Sequence, residues 1–183
     1  MSFLQLSDKT YLVVGFANKK SIAWSVAQLL EEEGASVIYC VRNQKRKEEL
    51  EGLIGSGIIL TCDFEDVSQV EQLGRSIKEQ TQDPLSGVLH SIAYANYADG
   101  LKPFHETDRA DFLQATQISS FSLIELARAC KASLARDASF VTIGISSTEV
   151  TAENYGYMAP IKASLEASVR YLAKSFSADS EVR

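Results

Sequence analysis

Along these 183 residues, short apolar runs alternate with amphipathic stretches of helical period, and this alternation narrows the possible folds more than any other feature of the chain. Strands are expected at Tyr11–Phe16, Ser36–Val41, Gly57–Cys62, Gly87–Ala95 and Ser139–Ser146. Helices are expected near Ser21–Glu33, Lys45–Leu53, Val67–Thr81, Asp108–Leu134 and Tyr155–Phe176. A strand followed by a helix and then another strand reads as a right-handed crossover, which gives a parallel sheet with helices on both faces. All strand ends then open on one edge, where a ligand can sit across the switch in strand order. Residues 96–107, with Asp99, Gly100 and Pro103, form the longest irregular connection, either a substrate-side loop or a plain surface loop.

The first of these strand ends carries the most specific local signal. Gly15-Phe-Ala-Asn-Lys-Lys-Ser21-Ile22-Ala23 follows an apolar strand and opens a helix. The spelling G-x-G-x-x-G is absent, but the physical requirements are met. Gly15 permits the sharp turn, Ala17 and Ala23 are small enough for close approach, and Ser21 supplies a hydroxyl donor or a helix N-cap. A pyrophosphate fits the free N–H groups at such a helix start, although an ordinary strand-to-helix turn has the same outline. The expected class is therefore α/β, a Rossmann-like doubly wound parallel sheet in a single domain over residues 1–183.

Composition adds exclusions. A net charge of −6 argues against a general nucleic-acid binder or an anionic-membrane binder. Cys40, Cys62 and Cys130 are odd in number and widely spaced, with no C-x-x-C pair, so they read as buried reduced thiols of a cytoplasmic protein, and no metal site is expected. Neither a signal peptide nor a membrane-spanning apolar run is visible.

Further strand ends carry cofactor candidates. Arg42, Lys45, Arg46 and Lys47 stand where an acidic residue would grip the ribose of NAD, so the cluster suits the 2′-phosphate of NADPH, with NADH possible; a solvated basic helix start paired to Glu48, Glu49 and Glu51 is the alternative. Asp63 is placed to accept from an adenine amine with Phe64 beside the ring, or to cap a turn. In His90-Ser-Ile-Ala93-Tyr-Ala95, small residues let a cofactor backbone pass, or mark tight helix packing.

The strongest chemical pattern is Asn154-Tyr155-Gly-Tyr157-Met158-Ala-Pro160-Ile-Lys162. On a continuous helix, Tyr155 and Lys162 lie about 20° from eclipsed, whereas Tyr157 and Lys162 lie about 140° apart. An ammonium near a phenol favours phenolate and makes Tyr155 the better proton donor or oxyanion stabiliser. A packed aromatic and a snorkelling lysine would give the same two letters. Pro160 is tolerable only in a first helical turn, and a helix starting near Tyr157 would weaken the face argument.

Taken together, Gly15-x5-Ser21-Ile-Ala-Trp24, Cys62-Asp63, His90-Ser-Ile-Ala-Tyr-Ala95, Ile118-Ser-Ser-Phe-Ser122 and Tyr155-x6-Lys162-Ala-Ser-Leu-Glu resemble the enoyl-acyl-carrier-protein reductases of bacterial fatty-acid synthesis, a divergent branch of the short-chain dehydrogenase/reductases. The resemblance spans essentially the whole chain. It implies reduction of a trans-2-enoyl thioester on acyl carrier protein, with Tyr155 stabilising the enolate and Lys162 holding the nicotinamide ribose. It also implies cofactor contacts at Gly15, Ser21, Ile22, Arg42, Asp63, Ala93 and Lys162, to which the local reading adds Phe64. Substrate contacts are implied at Ala95, Tyr155 and Met158, in a homotetramer built on the helices near Asp108–Leu134 and Tyr155–Phe176.

One residue departs from the family pattern. The family's second tyrosine, ten residues before Tyr155, is replaced here by Ile145, which cannot donate a hydrogen bond; Ser146 or Ser147 could approach the thioester carbonyl instead, or cap the strand end. This leaves a related carbonyl reductase or a non-catalytic nucleotide-binding module as alternatives. Ser180-Glu-Val-Arg183 reads as the lead-in to another strand. The resemblance implies further strands, a nicotinamide-side loop and a helical flap after residue 183, so the segment 1–183 alone is expected to bind the adenine end weakly and not to turn over.

Overall fold

The computed structural model describes residues 3–54, 57–81, 83–152 and 155–183; Asn154 of the tyrosine motif lies outside them. Strands β1 (Thr10–Val14), β2 (Ser36–Val41), β3 (Ile58–Thr61), β4 (Leu85–His90) and β5 (Leu134–Thr142) form one sheet in the order β3-β2-β1-β4-β5. Every neighbouring pair is parallel. Helices α1 (Ile22–Glu32), α2 (Gln44–Ile54), α3 (Val67–Gln80), α4 (Arg109–Thr116), α5 (Ser122–Cys130) and α6 (Met158–Phe176) complete the α/β, Rossmann-like arrangement. The strand order reverses between β1 and β4, which puts the switch point beside Gly15.

Strands β1 and β2 are apolar without alternation because both of their faces are covered. On one face Leu12, Val14, Ile38 and Cys40 pack with Val70, Leu73 and Ile77 of α3 and Leu126 of α5. On the other, Val13, Tyr39 and Val41 pack with Ala23 and Ala27 of α1 and Leu50 of α2. Each fully buried aliphatic side chain contributes about 1.5–3 kcal/mol, so the two layers fix the register. Cys40, Cys62 and Cys130 are free, buried together in the first layer, and burial raises all three thiols, Cys62 and Cys130 to about 12. No described helix is long and apolar enough to cross a membrane, and no three described His, Cys, Asp or Glu residues are grouped to hold a metal ion.

Several expected boundaries move, among them the end of β4, at His90 instead of Ala95, the end of β5, at Thr142 instead of Ser146, and the start of α6, at Met158 instead of Tyr155. The long helix over Asp108–Leu134 is α4, a π-helical turn at Gln117–Phe121, α5 and a 3-10 turn at Lys131–Ser133. The last strand begins at Leu134 instead of Ser139. Leu85 pairs with Leu134 and Gly87 with Ser139, so a bulge lies between them, and the half-exposed Leu134-Ala-Arg-Asp-Ala stretch looks helical when read alone. Beyond α6, Glu181 and Arg183 donate to the carbonyls of Arg136 and Ala138, and Phe140 donates to Arg183 (2.7 Å). The lead-in expected at Ser180–Arg183 thus runs as an extension of the sheet beyond β5.

Candidate cofactor and active site

The C-terminal ends of all five parallel strands share one edge. Gly15 leaves β1 with φ +103°, a conformation open to glycine, and a Cβ built on it would lie 2.0 Å from the Ser91 carbonyl oxygen. The first turn therefore lies directly on the end of β4. Ser21 is the N-cap of α1: its Oγ accepts from Trp24 N (3.3 Å) and donates to the Asn18 carbonyl (2.8 Å). Among the described residues, the N–H groups of Ile22 and Ala23 have no acceptor, and they stand at the positive end of the helix dipole. A cavity of about 440 Å³ opens beside this turn toward α1 and α2, lined by Phe16, Asn18, Lys19, Lys20, Trp24 and Arg46; neither Tyr155 nor Lys162 reaches it.

Arg42 and Asp63, expected as separate contacts, are joined. Arg42 Nε donates to Asp63 (2.9 Å) and its Nη2 to Glu65 (2.7 Å), with the Arg42 side chain 53% exposed. Glu65 also accepts from Gln114 of α4 (2.8 Å), a tie with no local sequence signal. Asp63 caps its own turn by accepting from Glu65 N (3.1 Å). Phe64, expected beside an adenine ring, is 5% exposed and packs among Cys62, Val70 and Leu126, and its carbonyl accepts from Gln117 (3.2 Å). Arg46, another of the expected cations, pairs with Glu49 (2.6 Å).

At the ends of β4 and β5 stands Lys162, 2% exposed on α6. Its Nζ donates to the carbonyls of Ile143 (2.8 Å) and Ile92 (3.4 Å), and burial lowers its pKa. The helical-face argument for Tyr155 does not hold, because α6 begins at Met158 and leaves Tyr155 in the preceding turn. The same start resolves Pro160, the third residue of the helix, where the missing N–H has no intrahelical acceptor. The two tyrosines nevertheless separate clearly. Tyr157 is buried against Tyr97 and Phe112, and its hydroxyl donates to the Asn96 carbonyl (2.8 Å). Tyr155 is 37% exposed, accepts from the Tyr97 hydroxyl through its backbone carbonyl (2.9 Å), and its own hydroxyl has no partner among the described residues.

Met158 is buried beside Tyr157, with Ala95 packed against that cluster, while Ala93 is exposed on the stretch after β4. Sequence reading missed what holds this stretch. The π-helical turn buries Ser119, whose hydroxyl accepts from Tyr94 N (2.7 Å) and donates to Tyr94 O (2.8 Å), pinning the backbone between Ala93 and Ala95. Ile145 is half-buried, Ser146 is exposed, and the Ser147 hydroxyl caps the next turn by accepting from Glu149 N (3.1 Å).

Comparison with known proteins places this edge in context. The family model described as enoyl-(acyl carrier protein) reductase matches residues 15–183. The enoyl-[acyl-carrier-protein] reductase [NADPH] of Staphylococcus aureus is 37% identical over 96% of this chain and 70% of its own length. The chain belongs to the enoyl-acyl-carrier-protein reductase family. The [NADH] reductase of Bacillus subtilis is 36% identical over 92% of this chain and 67% of its own. Among solved reductases, that of Bacillus cereus with NADP+ and indole naphthyridinone superposes with a TM-score of 0.89 at 34% identity, covering 98% of this chain and 71% of that one. The Aquifex aeolicus enoyl-[acyl-carrier-protein] reductase (NADH) superposes at 0.90 with 30% identity, again over 98% and 71%. Both cofactor types therefore occur among reductases of similar identity to this chain.

Proposed function

We propose that this protein is an NAD(P)H-dependent enoyl-acyl-carrier-protein reductase of fatty-acid elongation, acting on the trans-2 double bond of an enoyl thioester. The observation that carries the reading is a buried Lys162 ammonium held by carbonyls at the ends of β4 and β5, seven residues after an exposed tyrosine. Membership of the family supports the substrate class. The residues at this edge suit a dinucleotide: free N–H groups at the start of α1 for a pyrophosphate, Arg42 for the 2′ position, and Lys162 for ribose hydroxyls.

When bound, the dinucleotide supplies hydride, delivered to the β-carbon. In this reading Lys162 orients the ribose through its ammonium hydrogens. Tyr155 donates a hydrogen bond to the thioester oxygen as negative charge develops there. Ile145 leaves that task to Tyr155, because its side chain has no donor. The enzyme is proposed to be cytoplasmic, to form a homotetramer, and to have no nucleic-acid or membrane partner. Leu113, Phe121 and Tyr171, exposed on α4, the π-helical turn and α6, support an assembly through these helices.

NADPH is the proposed preferred cofactor, with NADH as second. Arg42→Gln is expected to weaken NADPH by about 1–2 kcal/mol, the scale of a charge-assisted hydrogen bond at an exposed site, and to leave NADH nearly unchanged. Fluorescence titration with both dinucleotides checks this, and equal losses would remove Arg42 from the 2′ position. The reaction class is tested by offering crotonyl and acetoacetyl thioesters side by side to the product of the whole reading frame. Consumption of dinucleotide with crotonyl thioester alone supports the assignment; consumption with acetoacetyl thioester alone would identify a carbonyl reductase.

A further inference from the structure

His90, the last residue of β4, is fully buried and has no part in the chemistry above. Its Nδ1 lies 2.8 Å from Thr142 Oγ1 at the end of β5, and its Nε2 lies 2.8 Å from Ser122 Oγ at the start of α5. Counting protons fixes the direction of each bond. The single Ser122 hydroxyl proton goes to the Ile118 carbonyl (2.6 Å), which can only accept. Ser122 must therefore receive a proton from His90, so Nε2 carries the hydrogen and Nδ1 accepts from the Thr142 hydroxyl. Burial, and then the positive charge of Lys162, push the imidazole pKa down to about 3, which keeps the ring neutral.

The two strand ends bridged by this ring are those that hold Lys162. Ile143, whose carbonyl accepts from Nζ at 2.8 Å, directly follows Thr142, and Ile143 N donates to the His90 carbonyl (3.1 Å). Ile92, whose carbonyl lies 3.4 Å from Nζ, is two residues beyond His90. We propose that His90 is a positioning residue: as its Nε2–H tautomer, clamped between Thr142 and Ser122, it sets the spacing of the ends of β4 and β5 so that the carbonyls of Ile92 and Ile143 both face the Lys162 ammonium. This rests on the reading of Lys162 as a cofactor-holding residue. Thr142 is then also a positioning residue, since its hydroxyl proton ties β5 to the ring.

The test combines a tautomer readout with a mutant cycle on the product of the whole reading frame. Long-range ¹H–¹⁵N correlation should show His90 protonated at Nε2 in the unaltered protein and in Thr142→Val, with the proton moved to Nδ1 in Ser122→Ala. Thr142→Val, close in shape to the original, should weaken NADPH binding roughly three- to tenfold, the scale of one hydrogen bond. Thr142→Ser should restore it. In a Lys162→Ala background the same Thr142→Val change should cause no further loss. A proton on Nδ1 in the unaltered protein, or an equal loss from Thr142→Val in both backgrounds, would overturn the inference and leave the role of Lys162 standing. If Lys162→Ala alone leaves NADPH affinity unchanged, the reading of Lys162 fails, and this inference fails with it.

Discussion

Tyr155→Phe is expected to lower kcat by roughly 10²–10⁴-fold, the usual scale for loss of a positioned proton donor, while dinucleotide affinity stays almost unchanged. The ring and its neighbours remain, and only the hydroxyl is lost. Tyr157→Phe is the matched control. Its hydroxyl is already committed to the Asn96 carbonyl at 2.8 Å, within an aromatic cluster with Tyr97 and Phe112, so its removal should cost about 1 kcal/mol of stability and little kcat. Steady-state kinetics with a crotonyl thioester, together with denaturant unfolding of both variants, separate the two effects. If Tyr157→Phe proves the more damaging to kcat, the catalytic tyrosine has been assigned to the wrong residue.

The other large effect is expected at the first turn. Gly15→Ala places a Cβ at φ +103° and 2.0 Å from the Ser91 carbonyl oxygen, so the turn must move off the end of β4 or the backbone must change conformation. Strain in the left-handed region and overpacking against backbone each cost about 1–3 kcal/mol, so the variant should lose several kcal/mol of stability. The start of α1 shifts with the turn, and dinucleotide binding should fall along with stability. Chemical denaturation and dinucleotide titration measure the two losses. A Gly15→Ala protein as stable as the original, with intact affinity, would show that the close approach to Ser91 matters for neither.

Much of the fold was legible because parallel strands buried on both faces read as continuous apolar runs, and Val13, Ile38 and Leu60 stand where those runs predict. The Gly15 turn and the Ser21 cap were legible for a similar reason, since each is a local requirement met by a local residue. Long-range ties were not. Nothing near Arg42 announces Glu65 as its partner, because the sheet brings together ends 23 residues apart in sequence. The link from His90 to Thr142 spans 52 residues and depends on β4 and β5 being neighbours. The strand start at Leu134 was hidden by a bulge, which breaks the two-residue alternation that marks a half-exposed strand. The spacing of Tyr155 and Lys162 misled in a more instructive way. Seven residues bring two side chains to one helical face only if the helix runs between them, and α6 begins three residues after Tyr155.

Hydride delivery to the β-carbon is the central claim, and isotopic labelling tests it most directly. NADPH carrying deuterium at the transferable position of the nicotinamide, offered with crotonyl thioester to the product of the whole reading frame, should give butyryl thioester with one deuterium at C3 and a solvent-derived proton at C2. Deuterium at the carbonyl carbon, or a product without deuterium from either dinucleotide, would contradict the assignment of this edge to enoyl reduction.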